Sequence, residues 1–505
     1  MKGFYFSSSD YFDFCYCMFF CENKSTIPCQ NVFCSDIITD SNKKEDNMSN
    51  SVCTMDKVVN LCKSRGIIFP GSDIYGGMGN TWDYGPVGVE IKNNIKRAWW
   101  KRFVQENGNT FGVDAAILMN SRVWEASGHV ASFSDPKMDC KTCKSRMRAD
   151  TLIENHAKGK VNPDTMSNDE MQAYVDEHRL ACPKCGSFTW TPIREFKLMF
   201  ETSRGVIDEA QNKIYLRPET AQGEYVNFLN IQRTMRAKVP FGIAQVGKSF
   251  RNEVTPGNFI FRTIEFEQME HQLFCKQGDD EKYYNEYKER AYNFLVDLGF
   301  DKEHLRFHDH DKLAHYAKAA CDIQYLYPMG WQELNGIHNR TDYDLSRHQE
   351  YSGKSMLYMD PVTNEKYIPY IVEYSIGADR LMLAVLCEAY DEQTLEGGDT
   401  RVVMHLHPAL SAYKVAVLPL QKNLSDKARE IYNTLSKHFM CTYDEAGSIG
   451  KRYRRQDEIG TPYCITIDFD TLDNNTVTVR DRDTMEQIRL DADQLVKYIQ
   501  EKIAF

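Results

Sequence analysis

The sequence lacks any run of about 18 apolar residues, the shortest stretch that spans a membrane as a helix. It also lacks an excess of positive charge, because 72 acidic side chains outnumber 61 basic ones and the net charge is −11. The molecule as a whole is therefore unsuited to polyanions, and any contact with nucleic acid must come from a local basic patch. We therefore expect no transmembrane helix and no membrane partner.

A disulfide framework is also missing, although the chain has 16 cysteines. Six of them lie in the first 53 residues, four form two Cys-x-x-Cys pairs, and the other six are scattered. In a large chain without a convincing signal peptide, this distribution indicates reduced thiols and a metal site. We therefore expect a cytoplasmic protein, with an additional organellar copy as the alternative.

Residues 1–54 differ in composition from the rest of the 505-residue chain, which is long enough for about three domains. An aromatic and Cys-rich stretch at residues 11–21 precedes a polar run rich in Ser, Asn and Lys. A signal peptide would explain the apolar start, but Asp13 interrupts it and no small-residue cleavage site follows. We expect a disordered extension of unknown role, or a start at Met48 or Met55.

The two Cys-x-x-Cys pairs predict a metal centre. Each tight turn lets two thiolates reach one ion, and four thiolates form a tetrahedral zinc site. The pairs bound a mostly polar insertion at about residues 138–190, with a helix expected around residues 169–179. The alternative is that the pairs no longer bind metal. The predicted ligands are Cys140, Cys143, Cys182 and Cys185.

The most informative stretch is residues 245–270, where two apolar-alternating runs flank a Pro-Gly turn and predict a hairpin. Arg251 and Glu253 are two residues apart and are expected on one face of the first strand. A guanidinium, a carboxylate and the ring of Phe266 suit phosphate, a base edge or Mg²⁺, and a base plane, respectively. The alternative is an edge hairpin with a solvated, charged face.

Two other segments place charged residues where helices are expected to begin. Residues 214–230 change from a strand to a helix after Pro218, so Glu219 lies near the helix start. Residues 370–387 do the same, and Arg380 near that helix start opposes the helix dipole. A phosphate ligand would explain the arginine. An ion pair with Glu373 or another acid is the alternative.

The last segment, after a polar linker that follows Tyr390, alternates strands and helices and predicts a compact α/β domain at residues 411–505. It contains the strongest basic cluster of the chain, with Tyr453 in its middle. Such a run is usually a solvated face, but the aromatic residue makes RNA binding an alternative. The predicted tRNA-binding residues are Lys451, Arg452, Arg454 and Arg455.

Several strings together resemble the glycyl-tRNA synthetase family, the single-chain and homodimeric type of class II aminoacyl-tRNA synthetase. They are YGGMGNTWDYGPVGVEIKNNI, VWEASGHV, LRPETAQG, FRNE with FRTIEFEQME, GWQELNGIHNRTDYDL and VEYSIGADR. The resemblance implies an α+β fold with an antiparallel sheet flanked by helices at residues 55–405, the zinc-knuckle insertion, and a C-terminal anticodon-binding domain. It also implies a homodimer through the helix at residues 87–105, with Trp99 and Trp100 as anchors. Tyr374 stands where the family more often has proline.

The resemblance implies that glycine reacts with ATP to form glycyl-adenylate, and that a tRNA hydroxyl then takes the glycyl group. Mg²⁺ accompanies ATP, and the catalytic residues are Arg251, Glu333 and Arg380. The implied ATP-binding residues are Arg251, Asn252, Glu253, Phe261, Arg262, Thr263, Ile264, Glu265, Phe266, Glu333, Leu334, Gly377, Ala378, Asp379 and Arg380.

Glycine offers only its ammonium and carboxylate, so carboxylates and arginines must hold it, and steric exclusion removes the need for an editing domain. Two rival interpretations are a catalytically silent tRNA-binding relative and a metal-knuckle nucleic-acid-binding protein. The implied glycine-binding residues are Arg148 (or its neighbour Arg146), Glu219, Phe266, Glu267, Gln268, Met269, Glu270, Arg340, Glu373, Tyr374, Ser375, Ile376 and Gly377.

Overall fold

The computed structural model describes residues 53–158, 160–205, 213–253, 257–310, 312–314, 316–395 and 397–505, without the side chains of Ser132 and Asp164. Nearly all of the expected N-terminal extension lies outside these residues. Within them, no helix is long and apolar enough to cross a membrane.

The helices expected at residues 87–105 and 169–179 are present but shorter than predicted, at Pro86–Trp100 and Asn168–Glu177, and helices also begin after Pro218 and before Arg380 as expected. The helices of the described chain include others for which sequence analysis gave no bounds. In chain order they are α1 (Met55–Ser64), α2 (Pro86–Trp100), α3 (Ser121–Ala126), α4 (His129–Ser132), α5 (Ala149–Ala157), α6 (Asn168–Glu177), α7 (Ala221–Val226), α8 (Phe228–Thr234), α9 (Asp280–Asp297), α10 (Tyr343–Ser352), α11 (Ala378–Ala389), α12 (Ser425–Leu435), α13 (Ile449–Glu458), α14 (Phe469–Asn474) and α15 (Leu495–Lys502).

The strands of the described chain range from short bridges to the long central strands of the main sheet. In chain order they are β1 (Ile68–Pro70), β2 (Trp82–Tyr84), β3 (Thr110–Gly112), β4 (Ser134–Asp139), β5 (Arg146–Arg148), β6 (Arg194–Lys197), β7 (Glu201–Ser203), β8 (Lys213–Tyr215), β9 (Phe241–Phe250), β10 (Glu265–Cys275), β11 (Leu305–Asp309), β12 (Ala319–Tyr327), β13 (Gly330–Thr341), β14 (Tyr358–Met359), β15 (Lys366–Tyr367), β16 (Tyr370–Gly377), β17 (Tyr390–Thr394), β18 (Thr400–Met404), β19 (Val415–Pro419), β20 (Cys441–Tyr443), β21 (Tyr463–Ile467), β22 (Thr476–Asp481) and β23 (Gln487–Asp491).

The largest sheet formed by the described residues has the strand order β11-β12-β13-β16-β10-β9-β3. Its neighbouring strands are antiparallel, except that β3 runs parallel to β9. The predicted α+β class with an antiparallel sheet is therefore confirmed. The long strands β9 and β10 pair from Phe250 opposite Glu265 to Phe241 opposite Phe274, which confirms the two arms of the predicted hairpin.

The connection between those arms differs from the predicted one. Strand β9 ends at Phe250, so Arg251 and Glu253 lie beyond the strand and not on its face. A 3₁₀ turn at Phe259–Phe261 precedes β10, and residues 254–256 of the expected Pro-Gly turn lie outside the described part. The alternation of apolar residues predicted the strands correctly, but it did not locate the point where pairing stops.

Helix α2 packs against the back of this sheet. Pro86 occupies its first turn, where the missing N–H leaves no bond unmade. The predicted stripe of Ile91, Ile95, Trp99 and Phe103 is fully buried. Because the Trp99 ring is stacked inside the chain's own core, it cannot serve as the expected anchor on an outer surface. Trp100 remains half-buried.

A buried ionic cluster joins α2 to β10 and α11. The Lys92 ammonium lies 2.7 Å from Asp379 Oδ1 and 2.8 Å from Glu267 Oε2. Tyr84 donates its hydroxyl to Asp379, whose other oxygen accepts the Glu267 N–H at 2.7 Å. Burial alone would lower the pKa of Lys92, but the two carboxylates raise it above its ordinary value, so the ammonium stays charged.

The remaining sheets form the insertion and the C-terminal part. Strands β5, β4 and β6 pair beside α5 and α6, where sequence analysis expected the polar insertion. The C-terminal sheet has the order β20-β19-β21-β22-β23 and mixes parallel and antiparallel pairs. The expected polar linker after Tyr390 is wrong: strands β17 and β18 form an antiparallel ribbon there, because Val403 and Met404 have apolar surface to bury.

Removing the buried ammonium should destabilise the fold. We expect Lys92→Ala to lower the free energy of unfolding by about 3–5 kcal/mol, because two buried carboxylates lose their counter-charge. Lys96→Ala is the matched control: Lys96 contacts the same Glu267 at 3.1 Å but is 24% exposed, so its loss should be below about 1 kcal/mol. Denaturant unfolding of both variants measures the difference, and equal losses would contradict the role given to Lys92.

Candidate active site

A cavity opens on the face of the main sheet opposite to α2. Alternate residues of β10 and β16 point into it, as the period of two in a strand requires. The lining residues come from β10, β13, β16, the start of α11, the loop before α7, the connection between β9 and β10, and the loop before β12. They are Glu219, Arg251, Glu253, Ile260, Phe261, Arg262, Thr263, Phe266, Gln268, Glu270, Tyr316, Glu333, Leu334, Gly336, His338, Arg340, Glu373, Ser375, Gly377, Asp379 and Arg380.

One end of the cavity is cationic and aromatic. The Arg251 guanidinium lies 5.3 Å from the centre of the Phe266 ring and 5.5 Å from that of Phe133. Its Nε donates to the carbonyl of Pro218 at 3.0 Å, and within the described residues no carboxylate oxygen is within ion-pair distance of it. A guanidinium that is fixed in place but has no carboxylate partner is suited to a phosphate group.

Arg380 lies at the same end, in the first turn of α11. Its Nη1 is 3.2 Å from Glu333 Oε1, and its Nε donates to the Phe261 carbonyl at 3.3 Å. The alternative considered from the sequence, an ion pair with Glu373 or another acid, is therefore present with Glu333 as the acid. Glu373 is not the partner, because that carboxylate binds Arg340 instead. The Glu333 side chain is about half exposed, so its oxygens can accept a further ligand.

A neighbouring cavity extends this end toward the insertion. It is lined by Arg148, Arg251, Arg262 and Arg380, together with the acidic residues Asp135, Glu253 and Glu333. Arg148 comes from the end of β5, and its guanidinium is held by Asp135 at 3.1 Å and Asp150 at 2.6 Å. Arg148 does not line the main cavity, so it lies at the cationic end and not beside the carboxylates with which sequence analysis grouped it.

The other end of the main cavity is acidic. Glu270 accepts hydrogen bonds from the hydroxyls of Thr220 and Ser375, the latter at 2.9 Å, and from Gln268 Nε2 at 2.9 Å. Glu373 accepts from Arg340 Nη1 at 3.2 Å. These bonds converge because Glu270 on β10 lies directly opposite Ser375 on β16.

The three carboxylates of this end differ in charge state. Burial raises the pKa of Glu270 to about 7, and the nearby charges of Glu373 and Glu219 add to the shift. Burial would also raise the pKa of Glu373, but Arg340 and His338 outweigh the effect of burial and lower the pKa of Glu373 to about 2. Glu219 is likewise lowered despite burial, by His129 3.4 Å away and by Arg340. Two fixed negative charges and one adjustable carboxyl suit an ammonium ligand.

Four residues predicted to contact the substrates do not point into the cavity, because side chains alternate between the two faces of a strand. Glu267 and Met269 on β10, and Tyr374 and Ile376 on β16, point to the back of the sheet. There Glu267 pairs with Lys92, and the Tyr374 ring stacks on Phe103 with ring centres 4.4 Å apart. The period of two excludes these side chains from the cavity, since their neighbours in sequence line it. Other predicted residues that do not line it are Asn252, Ile264, Glu265 and Ala378.

Sequence analysis missed Ile260, Tyr316, Gly336 and His338, which also line the cavity. Gly336 and His338 could have been found by counting back from Arg340 in steps of two along β13. Between Glu333 and Asn335 the pairing with β12 is irregular, so the alternation does not continue to the start of the strand. No comparable signal marks Tyr316, because it lies in a loop.

The four cysteines of the knuckles do come together. Their sulfur atoms all lie within 4.8 Å of one another, with Cys140 to Cys185 at 3.6 Å and Cys143 to Cys182 at 3.8 Å. A tetrahedral ion with metal–sulfur bonds of about 2.3 Å requires sulfur–sulfur distances of about 3.8 Å. The cluster therefore fits a tetrahedral metal ion without rearrangement.

The basic cluster lies on α13 and is only partly available. Arg452 is buried and donates to the carbonyls of Pro419 and Asp444, at 2.6 and 3.2 Å. Its prediction as a surface ligand of RNA is therefore wrong, because its guanidinium satisfies backbone carbonyls inside the domain. Lys451 is exposed, whereas Arg454 and Arg455 are half-buried and pair with acidic residues of the same chain.

Comparison with family models identifies the class of protein to which this sheet and its cavity belong, a class II aminoacyl-tRNA synthetase. A family model described as tRNA synthetase class II core domain (G, H, P, S and T) matches residues 200–389. A second, described as anticodon binding domain, matches residues 414–502.

Comparison with whole proteins defines the family further. Glycine–tRNA ligases from Clostridium kluyveri and Clostridium tetani are each 60% identical over 458 residues, which cover 90% of this chain and 99% of theirs. That of Geobacillus thermodenitrificans is 58% identical over 468 residues, covering 92% of this chain and 100% of its own. The chain belongs to the glycine–tRNA ligase family.

The raised pKa of Glu270 makes a prediction about stability. The folded chain keeps a proton that the unfolded chain gives up above its ordinary pKa of 4.5, so the stability associated with this proton is complete below that pH and is lost as the pH rises to about 7. Glu270→Gln stays neutral throughout. We expect its free energy of unfolding to gain about 3 kcal/mol relative to the parent chain between pH 4.5 and 7.

Denaturant unfolding of both chains across this range measures the difference. Glu265→Gln, an exposed position on the same strand, is the matched control and should show no such trend. A difference for Glu270→Gln that is independent of pH would contradict the prediction.

Proposed function

We propose that the chain ligates glycine to its tRNA in an ATP-dependent reaction through glycyl-adenylate. The observation that carries the proposal is the cavity itself, which has Arg251, without a carboxylate partner among the described residues, at one end and three carboxylates at the other. Glycine is an amino acid with nothing to grip except its two charged ends. The names of the relatives, glycine–tRNA ligase, support the same reaction.

In the first step, the glycine carboxylate attacks the α-phosphorus of ATP and pyrophosphate leaves. Arg251 holds the α-phosphate, and Arg380 holds the far phosphates of the tail. Phe266 stacks on adenine, and Glu253 helps to place the base. These residues do no covalent chemistry; they align the reactants and stabilise charge that develops on the phosphate.

Mg²⁺ fits the cationic end because the Glu333 carboxylate is half exposed and adjoins Arg380 at 3.2 Å. Oxygen ligands of this kind suit Mg²⁺, with phosphate oxygens and waters completing its coordination. When bound, the ion neutralises charge on the phosphates. Glu333 also orients Arg380, so the two side chains act together on the nucleotide.

Glycine is held at the acidic end. Glu219, Glu270 and Glu373 take its ammonium group, and the Ser375 hydroxyl fixes Glu270 for this contact at 2.9 Å. Arg340 is engaged by Asp344 and Glu373, so it acts by orienting Glu373. Larger amino acids are excluded by space, and no editing site is required.

In the second step, a ribose hydroxyl at the end of tRNA attacks the glycyl carbonyl, and AMP leaves. We assign catalysis to residues 55–405 and anticodon recognition to residues 411–505. Lys451, Arg454 and Arg455 on α13 supply contacts to the tRNA backbone, and Arg452 supports them from inside the domain. The active protein is a homodimer through the α2 region and acts in the cytoplasm.

Zinc binds the four-cysteine cluster of the insertion. All four ligand positions are filled by sulfur, as in structural zinc sites, which leave no open position for a substrate. The metal stabilises residues 138–190, from which Arg148 reaches the cationic end. It takes no direct part in either chemical step.

Arg251→Ala tests the proposed activation step. We expect glycine-dependent ATP–pyrophosphate exchange to fall by at least about 10²-fold, because the guanidinium assigned to the α-phosphate is removed. Circular dichroism and thermal unfolding should change little. Arg306→Ala, an exposed arginine on edge strand β11, is the control and should keep its activity. Near-normal exchange in Arg251→Ala would overturn the assignment.

Metal analysis tests the zinc proposal. The purified protein should contain about one zinc ion per chain, and Cys140→Ser should lose it, since four thiolates make one closed site. Limited proteolysis should then cut within residues 138–190. Cys441→Ser, a buried cysteine outside the cluster, should retain full zinc content. A stable parent protein without metal would contradict the proposal.

A further inference from the structure

His338 lines the acidic end of the cavity, yet none of the steps described above uses it. It lies on β13, two residues before Arg340 and on the same face of the strand. Its Nδ1 is 2.7 Å from Glu373 Oε1. The other carboxylate oxygen, Oε2, accepts from Arg340 Nη1 at 3.2 Å, Gln272 Nε2 at 3.1 Å and the Tyr225 hydroxyl at 3.3 Å.

The two oxygens of Glu373 therefore differ in what holds them. Oε2 is held by the three donors from Arg340, Gln272 and Tyr225. Within the described residues, Oε1 has one side-chain donor, the imidazole of His338. Without that donor the carboxylate could turn about its last side-chain bond and aim Oε1 away from the cavity, because side-chain torsions of this type are broad.

The backbone makes room for the ring. A Cβ on Gly336 would lie 2.9 Å from His338 Cε1 and 3.3 Å from its Nε2. Any residue other than glycine at this position would thus displace the imidazole from its place beside Glu373. Gly336 lines the same cavity, so the glycine is best explained by the space that the ring needs beside Glu373.

We propose that His338 is a positioning residue that fixes Glu373 for the ammonium group of glycine. The inference rests on the proposed function, because it assigns His338 a part in the binding of that substrate. The imidazole need not touch glycine. It donates Nδ1–H to Oε1, so that the remaining lone pairs of the carboxylate point into the pocket before the substrate arrives, which is preorganisation of a charged site.

The groups around His338 are compatible with this role. Asp322 on β12 and Arg340 on β13 place opposite charges near the ring. The Nε2 atom of His310 is within hydrogen-bond distance of Asp322 Oδ2, at 2.8 Å. A neutral imidazole keeps its proton on Nδ1 because Glu373 accepts there, and the charged form donates at the same atom. The contact therefore persists in both states of the ring.

The test measures steady-state ATP–pyrophosphate exchange with varied glycine and with varied ATP. His338→Ala should raise the KM for glycine about tenfold, the effect of losing one hydrogen bond to a charged group, with kcat and the KM for ATP within about twofold of the parent values. His338→Asn should return the KM for glycine to near the parent value, because its amide N–H can replace the Nδ1 donor.

The control is His310→Ala, which removes a neighbouring histidine that does not line the cavity and should leave all three constants unchanged. If His338→Ala does not fold, His338→Met keeps much of the ring's volume without a donor and replaces it in the same assay. An unchanged KM for glycine, an equal loss with both substrates, or no rescue by asparagine would overturn the inference. Absence of glycine-dependent exchange in the parent enzyme would instead overturn the proposed function.

Discussion

The buried ammonium of Lys92 is the contact on which the rest of the catalytic unit depends. It brings together a helix, a central strand and the start of a second helix through Asp379 and Glu267. Asp379 immediately precedes Arg380, so the position of the Arg380 guanidinium, the proposed phosphate ligand, depends on the ion pair between Asp379 and Lys92. A buried charge tolerates little displacement of its partners, because any gap leaves a charge without compensation.

The charged side chains of the cavity are likewise arranged for partners of opposite charge, which here belong to the substrate. At one end Arg251 has no carboxylate within ion-pair distance among the described residues, and at the other the nearby charges of Glu373 and Glu219 help to raise the pKa of the buried Glu270. Each imbalance is unfavourable in the empty protein and is relieved by a ligand of opposite sign. The proposed glycyl-adenylate relieves both at once, because its phosphate suits the cationic end and its ammonium suits the acidic end.

Local patterns in the sequence predicted the elements and most of the site, because a period of two or a proline at a helix start is visible in the chain itself. Glu219 and Arg380 lie at their helix starts as expected. The local pattern could not predict which distant residues lie against each face of an element. Glu267 lies behind the sheet because α2 brings a lysine there, and Arg452 is buried because distant carbonyls need donors; neither partner is near in sequence.

The alternation along β10 and β16 divides each strand into two series of positions, which contact different neighbours. Odd and even residues can therefore change independently over evolution, one series with the substrate and the other with the helix behind. Tyr374 belongs to the second series. Its ring stacks on the aromatic residues Trp99 and Phe103, so this position is matched to the helix behind the sheet and not to the substrate.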